Sequence, residues 1–300
     1  MKPAKVVPDL VRGFKIGGTQ TQSWVERDII LYALGVGMSR DPMDTKELSF
    51  TYENAENFKV LPTFGATIGS IGAVFEGLVS CPGMPNFNPM MLLHGEQKLE
   101  FFKPFPQRQR VTMTSEIADI ADKIKGALVT FSSDVKDESG SIICRNTSKM
   151  FIRGIGGFGD KGKLQDSLPN VPQRPPCKVA SDVTTPNQAI LYRLSGDTNP
   201  LHIDPNMAAM GGFDRPILHG LCSFGIAGKA VLKEFCDYDV TKFKSIAVRF
   251  TRHVFPGETL LTEMWKEGNK VIFAQKTQER EGKMTTQGYV ELNEDPQPKI

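Results

Sequence analysis

Apolar residues recur along this chain with two different periods, and each period predicts a different element. Leu221, Phe224, Gly228, Val231, Leu232 and Phe235 follow one another at three- and four-residue steps, which is the stripe of a helix lying against a core. Gly225, Ala227, Gly228 and Ala230 on the same stretch are small enough to let neighbouring backbone come close. A second helix-like stretch, Gly65 to Glu76, is richer in glycine and predicts a weaker helix. Elsewhere the period is two. Arg110–Thr114, Ala127–Phe131, Leu260–Trp265 and Val271–Gln275 read as half-buried antiparallel strands. Lys136–Gly140 and Lys266–Lys270 read as hairpin turns.

These segments come in the same order twice. Leu99–Pro106 and Val248–Pro256 share alternating apolar residues, a basic residue and a closing proline, with Pro106 and Pro256 lying 150 positions apart. Each is preceded by a helix-like stretch and followed by strand-like runs. The predicted fold class is α+β: two repeats, each a strongly curved antiparallel sheet around a central helix. Leu93-His94-Gly95 and Leu218-His219-Gly220 look like a further repeat, but their offset of 125 does not match. The dense Gly and Pro of 154–176 mark a linker. The predicted division is an N-terminal repeat over 1–155, a linker over 156–176 and a C-terminal repeat over 177–300.

Gly154-Ile-Gly-Gly-Phe-Gly159 is a literal G-x-G-x-x-G. A dinucleotide loop must open a helix whose N-terminus meets the pyrophosphate. Here charged and then proline-rich sequence follows, so that reading is not favoured. Composition narrows the partners further. In 300 residues, 40% hydrophobic and 23% charged with a net charge of +2, nothing points to a disordered chain or to a nucleic-acid partner. The N-terminus has no apolar signal core, and no stretch approaches the roughly 18 uncharged apolar residues of a spanning helix. The expectation is a soluble, intracellular protein without a membrane partner. Cys81, Cys144, Cys177, Cys222 and Cys236 are an odd number without paired spacing, expected to be buried thiols rather than a disulfide frame or zinc site. Pro298-Lys299-Ile300 loosely matches a C-terminal peroxisomal address.

The densest polar string is Tyr192-Arg-Leu-Ser-Gly-Asp-Thr-Asn-Pro-Leu-His-Ile-Asp-Pro205. Gly196 and Pro200 bracket a turn that brings Asp197, Asn199 and His202 together. A carboxylate and an imidazole at that spacing can share proton transfer on one small molecule. By spacing alone the same residues could equally be a capped turn beside a core histidine. Gly220 lies where a helix begins, and its amide suits a developing negative charge.

The string resembles the hydratase 2 motif of the MaoC-like (R)-specific enoyl-CoA hydratases. Resemblance to the hydratase 2 part of peroxisomal multifunctional enzyme type 2 extends over most of the chain. It includes Asn187–Tyr192, Gly212–Leu221, Pro256–Leu260, Glu263–Gly268 and Leu92–Gln97. It implies a double hot-dog fold in a free-standing hydratase or an excised domain, with the second repeat catalytic and the first making room for the acyl chain. The implied reaction is hydration of trans-2-enoyl-CoA to (3R)-3-hydroxyacyl-CoA in fatty-acid β-oxidation. Asp197 and His202 would hold and activate the water, Asn199 would fix their geometry, and the Gly220 amide would bind the thioester oxygen. Substrate-binding positions carried over are His94, Gly95, Lys123, Thr198, Pro200, Leu201 and Phe250. No metal or cofactor is implied, since coenzyme A is part of the substrate. A homodimer and a peroxisomal location are implied. His219 is read as structural or pocket-lining, and His253 and Met90-Met91 carry no assigned role. The rival readings are a hot-dog acyl-CoA thioesterase and a non-catalytic acyl-CoA-binding module.

Overall fold

The computed structural model describes residues 2–69, 71–164 and 167–294. In it, ten strands form one antiparallel sheet: β1 (Phe14–Trp24), β2 (Leu92–Phe101), β3 (Gln109–Asp122), β4 (Gly126–Lys136), β5 (Ile142–Arg153), β6 (Lys178–Val183), β7 (Phe243–Phe250), β8 (Thr259–Glu267), β9 (Lys270–Thr277) and β10 (Lys283–Leu292). The order across the sheet is β1-β3-β4-β5-β2-β7-β10-β9-β8-β6. Taken inward from either edge, this is 1-3-4-5-2 and 6-8-9-10-7, one topology used twice. The halves join where β2 pairs with β7, Leu99 opposite Ile246. The two segments that match at an offset of 150 therefore belong to the two central strands of a double hot-dog fold.

The longer helices are α1 (Glu26–Gly35), α2 (Ile71–Ser80) and α3 (Gly220–Cys236). The stripe on α3 is buried as its spacing requires, with Phe224, Val231 and Leu232 fully inaccessible. Small residues set how closely other segments approach. A Cβ added at Gly225 or Gly228 would stand 2.4 Å from Val36 or from Thr63, inside any tolerable contact. Lys229 is buried on the same helix, where it pairs with Asp182 of β6 and donates to the Gly37 carbonyl at 3.1 Å. That paired charge ties α3 to an edge strand and to the loop after α1. Removing one partner would leave a costly bare charge.

The first-half helix departs from its predicted span of 65–76. Residues Pro62–Thr67 form a 3-10 turn, and α2 starts only after Gly69, whose φ of +109° cannot continue a helix. α2 has 10 residues against 17 in α3. A shorter, later helix leaves part of the first half's concave face uncovered.

The glycine run opens no helix. The amides of Gly157 and Gly159 donate to the Asp122 carboxylate at 3.1 and 2.6 Å, and the Ile124 amide does so at 2.7 Å. A protein carboxylate thus occupies the place a phosphate takes in a dinucleotide loop. Arg12 clamps Asp119 and Asp160 at 2.7 Å each, fastening the next residues to β3. All five cysteines are free, but Cys177 is exposed rather than buried, because it precedes edge strand β6. The C-terminal tripeptide Pro298-Lys299-Ile300 lies outside the described residues. Among those described, no helix is long and apolar enough to cross a membrane.

Candidate active site

The site begins with a run of side chains that bond their own backbone. After the short turn Arg193–Ser195, Gly196 takes φ +122° and reverses the chain. Asp197 then accepts from the Asn199 amide at 3.2 Å, and Asn199 accepts from the Leu201 amide at 3.1 Å. Pro200 opens the 3-10 turn Pro200–His202, and Asp204 caps the helix Pro205–Met210. Consecutive Asp and Asn turns of this kind are what a Gly-Asp-x-Asn-Pro string encodes. Asn199 touches Asp197 only through this turn. Thr198 and Pro200 are exposed and Leu201 is half-buried.

His202 is delivered by that turn, and its Nδ1 lies 2.8 Å from the Ile217 carbonyl. A carbonyl only accepts, so Nδ1 carries the proton and Nε2 is left as the basic nitrogen. His219, 1% exposed, stacks on it with ring centroids 3.7 Å apart and planes inclined by 28°. The Nε2–H of His219 donates to the Asp197 carbonyl at 3.2 Å, so His219 braces the carboxylate's turn from a position 22 residues away. Its Nδ1 is buried without a partner among the described residues.

Asp197, His202 and His219 bring one ligand-type atom each to within 4.8 Å of the others, a spacing that also suits a cation. The rings argue against that use. Planes so nearly parallel do not meet within the ~2 Å reach of an imidazole–metal bond. The arrangement is a carboxylate and an imidazole set near each other, with a second imidazole stacked behind them.

Burial depresses all three histidines of the site. His202 and His94 lie below the ordinary imidazole range, and His219 is pushed down to about 3 by burial and then by its neighbour His202. His202 is therefore a neutral base at physiological pH. The linkage has a definite sign. The unfolded chain takes up these protons from about pH 6.5 downward, before the folded one does. Stability is complete above that pH and drains away as pH falls toward the folded values. The thermal midpoint should fall between about pH 7 and about pH 5, and in a His219→Asn variant it should fall less over that interval.

Gly220 stands at the first position of α3, where the amide has no intrahelical acceptor. A Cβ there would meet the Phe250 ring at 3.3 Å. Phe250 in turn packs edge-on against His94 at 5.3 Å. Gly95 sits at a register shift between His94 and Glu96, which turns the start of β2 toward this corner. Lys123 is not gathered in. It is exposed at the tip of the β3–β4 hairpin, three strands from β2, at the same end of the sheet. The Asp122 contacts with the glycine loop hold that hairpin in place.

Beside Asp197, Tyr192, Ser195, Ala66, Gly69 and Leu221 line a small cleft. It shares Ala66, Gly69 and Leu221 with a second cleft that reaches His94 and runs into the first half. Ala66, Gly69 and Leu221 were not among the candidates from sequence. Their only signal was a broken, glycine-rich helix pattern at 65–76 and the start of the α3 stripe.

The duplicated sheet, the buried helix and this corner define a MaoC-like double hot-dog protein. The MFE-2 hydratase 2 N-terminal domain matches residues 23–154 and the MaoC like domain matches residues 167–288. The chain is 42% identical over 297 residues to the peroxisomal enoyl-CoA hydratase 2 of Arabidopsis thaliana, covering 95% of this chain and 94% of that one. It is 47% identical over 277 residues to the peroxisomal multifunctional enzyme type 2 of Mus musculus, covering 91% of this chain but 37% of that longer one. The crystal structure of a MaoC-like dehydratase from Phytophthora capsici matches with a TM-score of 0.87 at 38% identity, covering 97% and 99% of the two chains. The chain belongs to the enoyl-CoA hydratase 2 family.

Proposed function

We propose that this protein hydrates trans-2-enoyl-CoA thioesters to (3R)-3-hydroxyacyl-CoA, with Asp197 and His202 holding the reacting water. The observation that carries this reading is the neutral His202. Its Nδ1 is spent on a carbonyl, and its second nitrogen is left basic near the Asp197 carboxylate, which lines a cleft continuous with one running into the first half. Water held by the pair attacks C3 while His202 takes its proton. The electrons of the double bond move onto the thioester oxygen, which the Gly220 amide meets. The pair then returns a proton to C2 on the same face, restoring the enzyme and completing the net addition of one water.

His94 and Phe250 wall the reacting end, with Gly95 shaping that strand start. Thr198, Pro200 and Leu201 frame the turn at its mouth. On this reading Lys123, exposed at the same end of the sheet, is assigned to a phosphate of coenzyme A. The first repeat, divided from the second by the linker, takes the acyl chain. No cofactor takes part. A homodimer in the peroxisome, serving β-oxidation, completes the reading, supported by the peroxisomal relatives.

Incubation with trans-2-enoyl-CoA tests it. Loss of enoyl conjugation without free thiol supports hydration. Thiol release would mean a thioesterase, and binding without turnover a passive module. The amide of Gly220 can be tested alone, because His219 has φ −58° and ψ 133°, a conformation that accepts a following proline, and proline suits a first helical position. Gly220→Pro deletes the donor and should lower kcat by about 10²–10³. Gly220→Ala keeps it and should cost less, reporting only the crowding of Phe250.

A further inference from the structure

The second cleft runs from His94 beneath the broken first-half helix toward edge strand β1. In a hydratase, a chain whose thioester lies at Gly220 has this cleft to enter. Its floor is not that of a plain lipid tunnel. Ser115 of β3, Ser133 of β4 and Asn146 of β5 stand at matched register on adjacent strands. Gln97 and Ser148 form the neighbouring pair on β2 and β5, and all five line the cleft. The hydroxyls of Ser115 and Ser133 are 2.6 Å apart, and the Gln97 carboxamide donates to that of Asn146. Gln97 also donates to the Lys98 carbonyl at 3.4 Å and Asn146 to the Gly65 carbonyl at 3.5 Å, which leaves acceptor capacity on all four side chains and a donor on Asn146 and on one of the two serines.

An alkyl chain laid over this floor would strip water from hydroxyls and amides and give nothing back. An oxygen on the chain would restore what is lost. A charged oxygen would not serve, because the lining includes no Lys or Arg among the described residues, and an unpaired carboxylate is costly away from water.

We propose that this cleft selects acyl chains bearing an uncharged hydrogen-bonding oxygen, a hydroxyl or keto group, remote from the thioester, with Ser115, Ser133 and Asn146 as specificity-determining residues. This rests on the hydratase reading and names the substrate class within it. Gln97, at the near edge of the floor, lies three residues beyond His94, about 10 Å along an extended strand, and Ser133 stands two strands farther across, about 10 Å more, so the oxygen belongs roughly ten to fourteen carbons from the thioester.

The test compares kcat/KM for three trans-2-enoyl-CoA esters of equal chain length: unsubstituted, hydroxylated about twelve carbons from the thioester, and carboxylated at the far end. The hydroxylated ester should exceed the plain one by about three- to tenfold, and the carboxylated ester should fall below it. Changing Ser115→Ala and Ser133→Ala together removes both members of a mutually bonded pair, so neither is orphaned. The double variant should bring the hydroxyl-to-plain ratio down toward unity. A wild-type ratio of one or less, or a ratio unmoved in the double variant, overturns the proposal. Wild-type turnover of trans-2-butenoyl-CoA, too short to reach the floor, separates the two failures. If it is hydrated and the ratio is flat, only the pocket assignment fails. If it is not hydrated, the reaction assignment fails and the pocket assignment with it.

Discussion

Asp197→Asn should lower kcat by about 10²–10⁴ while the protein stays folded. The reason lies in the two separate duties of the side chain. One oxygen accepts the Asn199 amide at 3.2 Å, and an asparagine oxygen can accept it equally well. The turn therefore persists, and the change in stability should stay within about 1 kcal/mol. The variant lacks the negative charge and the carboxylate oxygen that the pair uses to hold the water. Steady-state kinetics on trans-2-enoyl-CoA, read beside a thermal midpoint, separates the two duties. Near-normal turnover would remove Asp197 from the chemistry and leave it as a turn former.

His202→Asn carries the second large effect. Asparagine places an N–H close to where Nδ1 stands, so the bond to the Ile217 carbonyl can be kept. It offers no basic nitrogen. The expected fall in kcat is again about 10²–10⁴, with KM changed much less. Combining it with Asp197→Asn should cost little more than either alone, because residues that work as one unit do not add. Two independent, multiplying losses would show that the side chains do not share one water.

Where a signal was local, the chain could be interpreted without its structure. The α3 stripe, the hairpins at 136–140 and 266–270, and the doubled β2 and β7 segments all rest on periodicity or turn chemistry within a few residues. The Asp197–His202 turn is the same kind of feature, since each side-chain bond spans two positions. Edge strands were silent. β6 has no fully buried residue, so no apolar alternation marks it. β1 is interrupted between Ile16 and Gln20, around Gly17 and Gly18, where its register shifts.

Contacts made across long separations were equally hidden. The stacking of His219 on His202 depends on α3 beginning against the loop that carries Asp197, 22 residues before His219. Leu218-His219-Gly220 looked like a misplaced echo of Leu93-His94-Gly95. In the fold both triplets converge on Phe250, His94 by its ring and Gly220 by its missing Cβ. The polar floor at Ser115, Ser133 and Asn146 likewise exists only once three strands are set in register.

The configuration at C3 of the hydration product is the most direct test of the central claim. In the proposed arrangement Asp197 and His202 present water from one side of a chain whose thioester is held at Gly220, so wild-type protein given trans-2-enoyl-CoA should yield one configuration alone, which the proposed reaction makes the (3R)-3-hydroxyacyl-CoA. A (3S) product, or a mixture of both configurations, would contradict that arrangement of the pair and the amide.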